Sequence, residues 1–138
     1  MNDVVSAAEA AADRADLVAA LDDVGNLRRS GRVPAAVLDV VHRLGVRPVF
    51  RLQSGVVQRI GVPRSDDAAL RRIRREAQLL GWSREVPSAV FHASAPARAR
   101  NLLGILGSTD PIAEFSPSMG IHTGPGVVGV AWLRPPAA

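Results

Sequence analysis

Ser118-Met119-Gly120-Ile121-His122-Thr123-Gly124-Pro125-Gly126-Val127-Val128-Gly129-Val130 is a glycine-rich segment that gives way to an apolar run near the end of a 138-residue chain. Met119 to Gly126 reads as a loop and Val127 to Leu133 as a closing strand, because β-branched residues dominate after Gly126. Gly120 and Gly124 flank His122. Glycine tolerates positive φ, so successive backbone N–H groups there can line an anion-sized nest, and Pro125 stiffens the turn. A neutral imidazole donates one hydrogen bond; a protonated one adds charge. By residue type His122 is either a loop anchor or a ligand for a small anion. Gly124 to Gly129 also matches G-x-G-x-x-G. A dinucleotide fingerprint, however, opens a helix and needs an acidic residue about 20 positions further on. Here a strand follows and nine residues remain after Gly129, so that match is a decoy.

Working back from this segment, Pro111 to Phe115 reads as a short strand, Pro96 to Leu106 as a helix and Val86 to Ala93 as a strand. Ser65 is a good N-cap, with Asp66 and Asp67 in the first turn of a helix running to about Leu80. Leu70, Ile73, Ala77 and Leu80 form its apolar stripe and Gly81 closes it. Arg47 to Leu52 reads as a strand, with Val49 on one face and Phe50 and Leu52 on the other. Ser54-Gly55 turns it into a return strand, Val56 to Val62, which predicts a hairpin. Pro34 opens a helix to about Leu44, with Val37, Val41 and Leu44 as its core stripe, stopped by Gly45. Asp22 to Ser30 is a helical turn ended by Gly31. Asp16 to Leu21 either extends the alanine-rich helix over Val4 to Asp13 or forms a short strand. From Pro34 the order is α-β-β-α-β-α-β-loop-β, an α/β fold with a mixed β-sheet layered with α-helices.

Composition excludes several chemistries. There is no cysteine, so no disulfide, thiolate zinc site or cysteine nucleophile exists, which fits a reducing, cytoplasmic setting. All 17 basic residues are arginine, which removes Schiff-base and P-loop lysine chemistry. The net charge of +4 permits anionic partners without demanding them. Met1 to Leu21 lacks a basic n-region and a continuous apolar stretch, so it does not read as a signal peptide, and no apolar run reaches membrane-spanning length. Arg71, Arg72, Arg74 and Arg75 oppose their helix's apolar stripe and read as a solvated face. A nucleic-acid patch is the sharper alternative, but no aromatic is interleaved for base stacking and none is expected to bind. His42, His92 and His122 have spacings that match no metal-ligand motif, and no paired carboxylates or nucleophile elbow stand out.

Three segments taken in order resemble the C-terminal domain of the DegV family. They are Leu27-Arg28-Arg29-Ser30-Gly31-Arg32-Val33; Gly45 to Phe50 with Gly55 and Val62-Pro63-Arg64; and the His122-Thr123-Gly124-Pro125-Gly126 loop before the last strand. Val90-Phe91-His92-Ala93 followed by a helix is similar to the family's middle strand. The resemblance covers nearly the whole chain and implies a DegV C-terminal-domain-like unit over residues 1–138. In it, 1–15 is an inter-domain helix, 134–138 a loose tail, and the family's N-terminal domain is missing. It further implies a non-enzymatic protein, without a cofactor or metal, that binds one long-chain fatty acid and presents it to a fatty acid kinase subunit. His122 would then hydrogen-bond the carboxylate, supported by Gly120, Thr123, Gly124, Pro125 and Gly126. Arg32 would join the head-group network, its bland alternative being a cation at a helix C-terminus. Arg64 would dock the kinase, the alternative being a solvated surface arginine. A protein-interaction or regulatory fragment without independent lipid binding is the competing reading. A face meant for the missing domain would favour self-association.

Burial of each methylene contributes about 0.8 kcal/mol, so a long acyl chain offers on the order of 10 kcal/mol. Removing a carboxylate from water costs several kcal/mol. The tail therefore supplies affinity, and His122 and Arg32 supply orientation. Val37, Val40, Val41, Phe50 and Leu52 are the candidate tail-lining residues, on grounds that do not separate them from ordinary core.

Overall fold

The computed structural model describes residues 2–22 and 43–136. Among them the order is α1 (Asn2–Arg14), β1 (Ala15–Ala20), β2 (Val49–Gln53), β3 (Val56–Gly61), α2 (Asp66–Leu79), β4 (Ser88–His92), α3 (Pro96–Leu106), β5 (Ile112–Glu114), α4 (Pro117–Thr123) and β6 (Val128–Leu133). The expected helix from Pro34, most of the turn from Asp22, and the candidates Arg32, Val37, Val40, Val41 and His42 lie outside the described residues. The strands form one sheet in the order β3-β2-β1-β6-β4-β5. Every pairing is antiparallel except β4 with β5, so the sheet is mixed, as expected.

The ambiguity at Asp16 to Leu21 resolves as a strand, and tertiary pairing is the reason. β1 is flanked on both sides, by β2 and by β6, so its backbone groups find ladder partners that outweigh the helical preference of its alanines. The helix before it ends with no intervening loop. Its last carbonyls are met from elsewhere: the Arg14 guanidinium donates to Ala10 O at 3.2 Å, and Arg134 donates to Asp13 O at 2.7 Å and, through its backbone N–H, to Arg14 O at 2.9 Å. The same Arg134 side chain stands 2.9 Å from the Asp16 carboxylate, which is 2% exposed. A charge that deeply placed requires its counterion.

The helices α2 and α3 lie on one face of the sheet. Beneath them, Val18, Ala20, Val49, Val90, Val128, Val130 and Trp132 pack against Leu70, Ile73, Ala77, Leu102 and Leu106, all buried. Ser65 caps α2 as expected, its hydroxyl accepting from the Ala68 N–H at 3.2 Å. Pro96 opens α3, and Gly107 ends it at φ 64° in the left-handed region. The arginines of α2 are not one solvated strip. Arg71, Arg74 and Arg75 are exposed, but Arg72 folds back over β3, donates to Ile60 O at 2.7 Å and pairs with Glu76 at 2.7 Å.

One expected element is corrected. Met119 to Gly126 is not a continuous loop, because α4 occupies Pro117–Thr123. Pro117 sits at the first helical position with its φ already helical. The Gly120 N–H donates to Ser116 O at 3.0 Å and the Gly124 N–H to Gly120 O at 2.8 Å. Gly120 is therefore helical. The positive φ values fall at Gly124 (78°) and Gly126 (90°) instead.

Candidate functional site

The second face of the sheet is built differently. Strand alternation sends Leu17, Ala19, Phe50, Leu52, Phe91, Ala131 and their neighbours Leu21 and Val127 to this side. The register aligns one row across four strands, Phe50 opposite Ala19, Ala19 opposite Gly129, and Gly129 opposite Phe91. The row reads large, small, small, large. Three strand spacings of about 4.8 Å put roughly 14 Å between the flanking phenylalanine strands. The result is a trough floored by Ala19, with the Phe91 ring lying over Gly129.

This trough is part of a cavity of about 240 Å³. Its lining is almost wholly apolar, with Leu17, Leu21, Phe50, Leu52, Val57 and Val127 prominent. The short helix α4 lies at its edge and contributes Met119, His122 and Thr123. The imidazole of His122 is exposed and in the last helical turn. The Thr123 hydroxyl is directed to its own helix, 3.3 Å from Met119 O. An apolar groove bordered by one imidazole suits an amphiphile: hydrocarbon in the groove and a hydrogen-bond acceptor at the rim.

The turn that follows α4 is held from the helix-covered side of the molecule. Arg98, on the first turn of α3, donates to Gly126 O and pairs with Asp66 at the start of α2, with Nε–Oδ1 at 2.8 Å. Arg47 bridges Asp66 to Asp22 just beyond β1. The Gly126 N–H donates to Ala93 O at 2.7 Å. A Cβ at Gly126 would come within 2.5 Å of Asp22 Cβ, so the close approach of the two segments needs glycine there. The network carries equal positive and negative charge and anchors the turn that follows His122.

The sequence candidates separate accordingly. The structure brings His122 and Thr123 to the cavity, along with Phe50 and Leu52 of the tail candidates. Gly124 and Gly126 are buried in the supporting turn, Pro125 is exposed, and Gly120 lies within α4. Arg64 is exposed between the end of β3 and Ser65 and is not among the cavity's lining residues. His92 is buried, and its Nδ1 accepts from the Ala95 N–H at 3.2 Å, which serves the start of α3. Among the described residues no group of three or more His, Asp or Glu side chains could hold a metal ion. Sequence reasoning passed over Phe91, Phe115, Ala19, Gly129 and Arg98. Alternation marks Ala19, Phe91 and Gly129 as one face only after register is known, and nothing local marks Phe115 or Arg98.

No helix among the described residues is long and apolar enough to cross a membrane. A DegV domain-containing protein of Streptomyces coelicolor is 31% identical over 136 residues, covering 94% of this chain and 48% of that protein. Two crystal structures share the fold. A DegV family protein from Eubacterium eligens, loaded with heptadecanoic acid, superposes with a TM-score of 0.81 at 19% identity, over 97% of this chain and 50% of that one. The Streptococcus pneumoniae fatty acid kinase (Fak) B3 protein, loaded with linoleic acid, gives 0.78 at 18% identity, over 96% and 49%. The chain thus spans about half the length of the proteins it matches. With the family model described as "Uncharacterised protein, DegV family" matching residues 1–135, this chain belongs to the DegV family.

Proposed function

We propose that this chain forms part of a long-chain fatty-acid carrier, in which His122 meets the carboxylate and the trough receives hydrocarbon. The observation that carries the reading is the pairing of a nearly all-apolar cavity with a single exposed imidazole at its edge. Family relatives of the same fold were solved with heptadecanoic acid and with linoleic acid bound, which supports the ligand class. Burying methylenes at about 0.8 kcal/mol each supplies the affinity. A hydrogen bond from His122 to a carboxylate is charge-assisted and selects for the acid over an alcohol or ester.

The chain does not itself transform the lipid in this reading. It contributes half of the carboxylate site, with Arg32 joining the head-group network, and presents the acid to a fatty acid kinase-type partner through a surface that includes Arg64. The name of the pneumococcal relative supports a kinase connection. The exposure of Arg64 is compatible with docking. Purification followed by organic extraction and mass spectrometry tests the reading. A stoichiometric long-chain fatty acid is expected. Protein that carries no lipid and fails to take up an added fluorescent fatty acid overturns it.

A further inference from the structure

Both ends of α4 hang from the same pair of residues. Ahead of the helix, the Phe115 N–H donates to His92 O at 2.7 Å. Behind it, the Gly126 N–H donates to Ala93 O at 2.7 Å, and the Ala93 N–H donates to Val127 O at 3.1 Å. His92 is the last residue of β4 and Ala93 the first beyond it. They open the turn into α3, in which Ser94 takes a φ of 52°. A residue with a Cβ holds that left-handed conformation only where its surroundings fix it. The His92 side chain closes this turn. Its Nδ1 accepts from the Ala95 N–H at 3.2 Å in a buried bond, which leaves Nε2 to carry the ring hydrogen. Strand alternation sends the imidazole to the helix-covered face, with Val90 and opposite Val128, and it does not line the cavity.

We propose that His92 is a positioning residue for the head-group contact, holding the β4–α3 turn in the shape from which α4 presents His122 to the trough. The inference rests on the carrier reading and adds to it a second histidine that never touches the lipid. Its physical content is one acceptor in one place. Without Nδ1 the Ala95 N–H is left buried and unpaired, and Ser94 loses the bond that spans it. The turn then relaxes, and the carbonyls of His92 and Ala93, which carry opposite ends of α4, shift with it. Leu17, Phe50 and Leu52 lie on β1 and β2, so the hydrocarbon contacts they offer are untouched.

The test compares dissociation constants of the full chain for tetradecanoic acid and its methyl ester, by competition with a fluorescent fatty acid. The ester keeps the tail and gives up the negative charge, so the ratio of the two constants reads the head-group contact apart from the trough. Wild type is compared with His122→Ala, which sets the ratio of a chain lacking that contact, and with His92→Leu and His92→Asn. Leucine removes the acceptor, whereas asparagine places Oδ1 as many bonds from the backbone as Nδ1. In His92→Leu the preference for the acid is expected to fall roughly 10-fold, toward the His122→Ala value. Its ester binding should stay within about twofold of wild type. His92→Asn is expected to keep the wild-type ratio. Melting curves establish that each variant is folded. His92→Gln, whose acceptor lies one bond further out, replaces His92→Leu if leucine is not tolerated. A folded leucine or glutamine variant with the wild-type ratio, or an asparagine variant that fails to keep it, overturns the positioning role and leaves the carrier reading standing. A wild-type chain that binds neither ligand overturns both.

Discussion

The two faces of this sheet share strands yet solve different problems. Under α2 and α3, β-branched side chains and Trp132 meet Leu70, Ile73, Leu102 and Leu106, and most are fully buried. Across the sheet, the same strands present Ala19 and Gly129 between phenylalanines, and a cavity of about 240 Å³ remains among the described residues. Interiors are normally packed as densely as organic crystals, so a groove this size on an apolar face leaves dispersion contacts unmade. In the carrier reading, residue parity along each strand separates the packed face from the ligand-binding one.

That separation predicts opposite outcomes for truncations on the two sides. The largest effect is expected for Ile73→Ala. Ile73 is fully buried, and its truncation should cost about 2–5 kcal/mol of stability. Chemical denaturation measures the loss, and at temperatures where the variant is folded its fatty-acid affinity should match wild type. His122→Ala should do the reverse. An exposed side chain away from the core changes stability by less than about 0.5 kcal/mol, while losing a hydrogen bond to a charged carboxylate weakens binding by roughly 10- to 100-fold. Fluorescent fatty-acid titration reads that change. A His122→Ala chain that binds as wild type does would leave the trough without its head-group contact and break the division of labour.

Gly129→Ala tests the part of the trough that the Phe91 ring covers. Its new Cβ would meet Phe91 Cζ and Val18 O, each at 2.5 Å, and Ala19 Cβ at 2.8 Å. Overpacking of this kind costs about 1–3 kcal/mol. Phe91 should be pushed toward the cavity, so a lower melting temperature and a weaker fatty-acid affinity are expected together. A drop in melting temperature with no change in affinity would show that the ring escapes in some other direction.

What was legible in the sequence follows from how local each signal is. Ser65 and Pro96 mark helix starts through chemistry within a few residues, and α2 and α3 lie where expected. Pro117 carries the same signal as Pro96, but Gly120 and Gly124 masked a helix of one or two turns. The identity of β1 depended on two strands far along the chain, so alanine propensity left it open. His122 stood out through its setting between glycines and its family resemblance, yet the reason it reaches a groove is the helix that carries it. The trough was illegible because Ala19, Phe91 and Gly129 become neighbours only through register. Gly129 even belonged to a false dinucleotide pattern, when its actual constraint is the ring lying across it.

The smallest effect addresses whether the two faces communicate. Ser65 accepts from the Ala68 N–H at the start of α2, and Asp66, the next residue, reaches through Arg98 to the Gly126 carbonyl behind α4. Ser65→Ala removes one cap at a cost of about 1 kcal/mol. Asp66 still has Arg98 and Arg47 as partners, and those contacts do not pass through the Ser65 hydroxyl. The first turn of α2 should therefore stay docked, and fatty-acid affinity should remain within about twofold of wild type, the equivalent of less than about 0.5 kcal/mol. If instead affinity falls with stability, fraying of α2 has released the Gly124–Gly126 turn. The helix-covered face would then set the position of His122 as well as the stability of the fold.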